Sequence, residues 1–221
     1  MSTSRYQTPS SREPVNGWLH LGAAILAGVG LIVLGANAAE HDSWRHTTGA
    51  VVFGVSAILM FGASALYHLA RGSLRGPLYR RLDHAMIYIF IAGSFTPVCL
   101  VALHGSAMAT PLLVSVWALA IMGVLQEVAW RGAPRRLSTW LYLGLGWLGA
   151  LSAFPLLRTS QVELLAWLIA GGLLYTVGAM IYHKRWPRGV PGVFGFHELW
   201  HVFVIAACAS HYWAVLNYVI A

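Results

Sequence analysis

Seven apolar runs, each about as long as a bilayer crossing and each ended by a short polar break, fill the chain beyond residue 16. A helix needs roughly 20 apolar residues to span hydrocarbon, where its backbone finds no hydrogen-bond partner but itself. The runs are approximately Gly17–Ala38, His46–Ala70, Arg81–Leu103, Pro111–Trp130, Leu137–Leu157, Val162–His183 and Phe196–Ala221. Gly72, Gly76-Pro77, Gly105, Gly132 with Pro134, and the stretch from Pro187 to Gly195 punctuate them, and such residues end helices. The expected fold is therefore all-α, a seven-transmembrane helix bundle forming one domain over residues 17–221, behind a polar tail at residues 1–16. Only 10% of residues are charged, against roughly 25% in soluble domains, so a water-soluble globule is excluded.

Ala36-Asn37-Ala38 loosely resembles a signal-peptidase site. The apolar run before it is longer than a signal-peptide core and contains His20, so it is expected to stay as the first span. Ten Trp and nine Tyr suit side chains that anchor at the lipid–water boundary. Cys99 and Cys208 each lie inside an apolar run and read as small buried side chains rather than a disulfide. Gly144, Gly146, Gly171 and Gly172 are expected to let helices pack closely.

Charge supplies the orientation. Arg5 and Arg12 precede the first span. Arg71, Arg75, Arg80 and Arg81 follow the second, Arg131, Arg135 and Arg136 the fourth, and Lys184, Arg185 and Arg188 the sixth. Twelve of the 14 basic residues thus fall on one side, leaving Arg45 and Arg158 on the other. Cytoplasmic loops collect Lys and Arg, which predicts a cytoplasmic N-terminus and an external C-terminus. The net charge of +7 is topological in this pattern and does not indicate nucleic acid.

Ionisable groups inside a bilayer are expensive and call for a reason. His68 ends the second span, Asp83 opens the third, and His197 and His201 open the seventh, all on the predicted cytoplasmic side. Ser64 lies one turn from His68 on the same face, as His197 does from His201. Three imidazoles, a carboxylate and a hydroxyl from three helices therefore share one layer. Three neutral imidazoles suit Zn2+ with a fourth position open, and a nearby carboxylate can hold or deprotonate a water. The competing explanation is hydrogen bonding between helices without a metal.

His197-Glu198-Leu199-Trp200-His201 also matches H-E-x-x-H, the zinc metalloprotease pattern, although a membrane helix is an unusual context for it. Glu13, Asn16 and His20 are spaced about one turn apart; they could line the cytoplasmic mouth, with tail solvation and helix capping as alternatives. His211 lies about 21 Å beyond His197 along the same helix and cannot join its metal. His84 is turned away from Asp83 and reads as packing. His41, His46 and His104 read as loop or boundary residues, and Glu127 and His183 as interfacial groups. Thr96-Pro97 is expected to bend the third span, since proline removes a backbone donor.

Ser64-Ala65-Leu66-Tyr67-His68 resembles an S-x-x-x-H motif. Asp83-His84-Ala85-Met86-Ile87-Tyr88 with Ile91-Ala92-Gly93-Ser94-Phe95-Thr96-Pro97 resembles a third-span signature, and His197-Glu198-Leu199-Trp200-His201 with His211-Tyr212 a last-span one. Glu13, Asn16, His20 and Gly22 resemble the opening pattern of the same proteins. Together they are similar to the bacterial haemolysin III family, related to the progestin and adipoQ receptors and, more distantly, to alkaline ceramidases. Phe95 stands where many members have Tyr. The resemblance implies zinc ligation by His68, His197 and His201, with Asp83 contacting the zinc-bound water and Ser64 supporting the site. It also implies a multi-pass protein of a bacterial inner membrane, with membrane lipids as partners.

Two readings of function follow. In the first, the chain is an intramembrane hydrolase of a lipid amide or ester, with Asp83 as base. In the second, it is a non-catalytic membrane-homeostasis or sensor protein whose zinc staples three helices. A pore-forming, lytic role is implied by the family name alone, since no span carries a continuous hydrophilic stripe.

Overall fold

The computed structural model describes residues 14–70, 72–130, 135–190 and 194–220. Residues 1–13 of the expected tail, including Glu13, lie outside them, as do Arg71, Arg131, Gly132 and Pro134. The helices are α1 (Pro14–Ala39), α2 (Trp44–Leu69), α3 (Gly76–Pro97), α4 (Ala109–Ala129), α5 (Arg135–Trp147), α6 (Ala153–Arg158), α7 (Val162–Lys184) and α8 (Phe196–Val215). Among the described residues, seven segments are long and apolar enough to cross a membrane, the fifth running Leu137–Arg158 through α5 and α6. Among the described residues there is no strand, only an antiparallel bridge between Val190 and Phe194. The protein is an all-helical membrane protein.

Proline explains where helices begin and change pitch. α1 opens on Pro14, so residues 14–16 of the expected tail are already helical; proline suits a first helical position, where no donor is needed. α3 likewise opens on Gly76-Pro77. Pro97 does not end the third span. The backbone continues through a π-helical turn at Val98–Ala102, in which Leu103 N–H donates to the Val98 carbonyl at 2.9 Å. The fifth span is less regular than its apolar run suggests, passing through a 3₁₀ segment at Leu148–Ser152 before α6. Pro155 cannot donate to the residue 151 carbonyl, which interrupts the α ladder there.

α2 packs against both α1 and α3, α3 against α4 and α5, α5 against α7, and α7 against α8, which returns to α1 and closes a ring. The interior of α2 is mostly small, with Ala50, Ala57, Ser64 and Ala65 all buried, which lets its neighbours approach closely. The exterior is apolar, with Leu26 70% and Ile32 72% exposed on α1. In a soluble protein so much exposed aliphatic surface would drive association; here it suits lipid contact. Cys99 and Cys208 are buried and unbridged.

A partly enclosed cavity of about 330 Å³ lies between α3, α5, α7 and α8. The glycines divide between two roles. A side chain at Gly171 would collide with the His211 ring, so this glycine serves close packing as expected. Gly144, Gly146 and Gly172 have nothing within 4 Å of where a Cβ would stand, and Gly146 and Gly172 border the cavity. These two make room; they do not draw helices together.

Candidate metal centre

The end of α2 and the start of α8 meet at one end of the bundle. His68 is the penultimate residue of α2 and His197 the second residue of α8. Four residues make about one helical turn, so His201 stands beside His197 and Ser64 beside His68. The ring centroids of His68 lie 5.1 Å from His197 and 4.9 Å from His201, and those two lie 4.8 Å apart. One nitrogen from each ring falls within 4.8 Å of the others. His68 and His201 are buried, His197 partly so.

The donor set fits a metal ion. His201 Nδ1 is 2.8 Å from His20 Nε2, whereas its Nε2 is buried and has no hydrogen-bond partner among the described residues. Leaving a buried polar atom unsatisfied costs about 1–3 kcal/mol, and a cation held between the three rings would remove that cost. Two or more imidazoles with no thiolate at this depth suit a borderline cation such as zinc.

The cavity begins at this cluster. Ser64, Asp83, His197 and His201 all border it, and His68 joins the latter two in the histidine cluster. Ser64 Oγ is buried without a hydrogen-bond partner among the described residues. Away from this end the walls are apolar, with Ile91, Phe95 and Val98 from α3, Leu143 from α5, Leu168 from α7 and Val204 from α8. His211 borders the cavity too, but its Nε2 lies 3.2 Å from the Leu168 carbonyl and it is not among the three clustered rings.

Glu198 does not face the metal centre as the base of an H-E-x-x-H site would. Its Oε2 accepts the Gly195 N–H at 2.8 Å, capping α8, and its Oε1 accepts Asn16 Nδ2 at 3.0 Å. Both carboxylate oxygens are occupied, which removes the protease reading. Asn16 (0% exposed) and His20 (3%) are buried, not solvated tail residues, and His20 borders the cavity. Their signal was the four-residue spacing, but only the contact between α1 and α8 reveals their partners.

His84 is likewise more than packing. Its Nδ1 lies 3.5 Å from Glu127 Oε2, and Ser138 Oγ–H donates to Glu127 Oε1. Glu127 therefore joins a polar cluster between α3, α4 and α5, where an interfacial group was expected. His183 stacks obliquely on Trp140, and His41 and His46 stack on each other at 4.2 Å beside the α1–α2 connection.

Comparison with known proteins agrees with this architecture. The model of the family described as haemolysin-III related matches residues 9–212. Hemolysin-3 of Bacillus cereus is 34% identical over 209 residues, covering 94% of this chain and 92% of that protein. The hemolysin-3 homolog of Bacillus subtilis is 32% identical over 206 residues, 93% of each chain. The adiponectin receptor protein of Drosophila melanogaster is 31% identical over 226 residues, 90% of this chain but 49% of the receptor.

Proposed function

Because this chain belongs to the haemolysin-III-related family, we propose that it is a zinc-dependent hydrolase of a lipid amide or ester, acting inside a bacterial inner membrane. The observation that carries the reading is that the histidine triad meets an apolar cavity which Asp83 and Ser64 also border. A metal staple would need the three rings; it would not need a carboxylate and a cavity beside them.

His68, His197 and His201 would hold the ion, which when bound supplies an acidified water and an electrophile for a carbonyl. Asp83 would serve as the base, holding a proton at its carboxylate and passing it to the leaving amine or alcohol. The Ser64 hydroxyl, one turn from His68 and without a hydrogen-bond partner among the described residues, would donate to oxygen at the reacting centre. The apolar walls hold the acyl chain and keep bulk water from the carbonyl, which strengthens each polar contact at the foot of the cavity. The basic connections support a cytoplasmic-leaflet position for this end, where a lipid could enter sideways between helices.

The test is metal analysis joined to a mass-spectrometric screen of amide and ester lipids with purified protein. The expected result is about one zinc per chain, lost in His197→Ala together with turnover. Asp83→Asn should keep the metal and lose turnover by at least 100-fold, the usual lower range for a general base. Zinc-loaded protein that processes no lipid, with Asp83→Asn indistinguishable from it, would instead support the staple.

A further inference from the structure

The contact between His20 and His201 decides which nitrogen the metal centre can use. A neutral imidazole carries one proton, so the 2.8 Å pair has two forms. If His20 Nε2–H donates, His201 keeps its own proton on Nε2 and has no lone pair there to offer a cation. If His201 Nδ1–H donates, its Nε2 is bare, and Nε2 is the atom that lacks a partner among the described residues. We propose that His20 is a positioning residue of the metal centre, accepting the Nδ1–H of His201 so that Nε2 of that ring faces the ion. This rests on the metal reading above.

The surroundings fix the position of the His20 ring, whose Nδ1 is buried without a hydrogen-bond partner among the described residues. Its ring is 3% exposed, stands nearly perpendicular to the His201 ring at 4.1 Å between centroids, and packs edge-on against Phe61 at 5.1 Å. One turn earlier on α1, Asn16 donates to Glu198, the residue that also caps α8. Two side chains on one face of α1 therefore grip the first turn and a half of α8, one fixing the helix frame and the other the ligand ring. Histidine ligands generally donate their second N–H to a carboxylate, carbonyl or water, and losing that partner weakens metal binding by about 10–100-fold. Here the acceptor is a neutral imidazole, so the device is orientation and tautomer choice; it adds no negative charge.

The experiment compares full-length purified wild type, His20→Phe and His20→Gln by competitive titration with a chromophoric zinc chelator. Visible absorption of the cobalt-substituted proteins is read alongside. Phenylalanine keeps a ring in the site but cannot accept a hydrogen bond; glutamine can accept through Oε1. His20→Phe should bind zinc about 10–100-fold more weakly and alter the cobalt spectrum, and His20→Gln should restore most of both. Wild-type affinity in His20→Phe, or equal weakening in both variants, overturns the proposal. Nitrogen-15 resonances of histidine-labelled, zinc-loaded wild type give a readout that needs no variant: His201 Nδ1 should carry the proton, and a protonated Nε2 overturns the assignment. Failure of wild type itself to bind zinc would show up separately, removing the metal reading and this one together.

Discussion

Glu198 illustrates how one side chain can match a motif and do something else. It follows His197 directly, and the five-residue string reads as a zinc protease helix. Yet it closes a capping box, its carboxylate satisfying a backbone donor at the start of α8 while anchoring Asn16 of α1. Hydrogen bonds to charged groups contribute about 1.5–3 kcal/mol each, so Glu198→Ala should lower the thermal midpoint measurably. Metal binding by the protein that remains folded should persist. A variant that melts like wild type but has lost all turnover would return Glu198 to the role of base.

At the scale of the helix, neighbouring glycines have opposite duties. Gly171 faces α8, where any Cβ would run into His211 and lie 3.2 Å from the Ala207 carbonyl. Overpacking of this kind costs about 1–3 kcal/mol, so Gly171→Ala should destabilise the bundle in a melting experiment. Gly172, one step around the same helix, borders the cavity and meets nothing within 4 Å. Gly172→Leu should therefore melt like wild type while excluding lipid, seen as loss of lipid co-purifying in mass spectrometry. If both variants melted alike and both retained lipid, the cavity would not be the acyl site. The π turn after Pro97 and the 3₁₀ segment before α6 belong to the same scale: each lies beside a proline, and each flanks a cavity-lining stretch.

For the molecule as a whole, the open question is which end faces the cytoplasm, and the buried state of Cys99 and Cys208 makes it accessible to labelling. Ser73 and Glu40 are exposed at opposite ends of α2. With a membrane-impermeant maleimide on intact cells, Glu40→Cys should react and Ser73→Cys should react only after the cells are opened. The reverse pattern would move the metal centre to the outer leaflet and overturn the proposed site of lipid entry.

The sequence by itself determined the number of spans, their approximate limits, and the grouping of His68, His197 and His201 at one end of the bundle. Hydrophobic length and four-residue spacing are local properties, and a membrane leaves a helix few alternatives. Tertiary structure alone decided that Asn16 and His20 of α1 reach Glu198 and His201, that Glu127 pairs with His84, and that Gly146 and Gly172 open a cavity. Those relations join residues as far as 182 positions apart, or depend on whether a helix face meets a neighbour or a void. Both are set by how helices pack, and periodicity along one helix carries no record of what lies across from it.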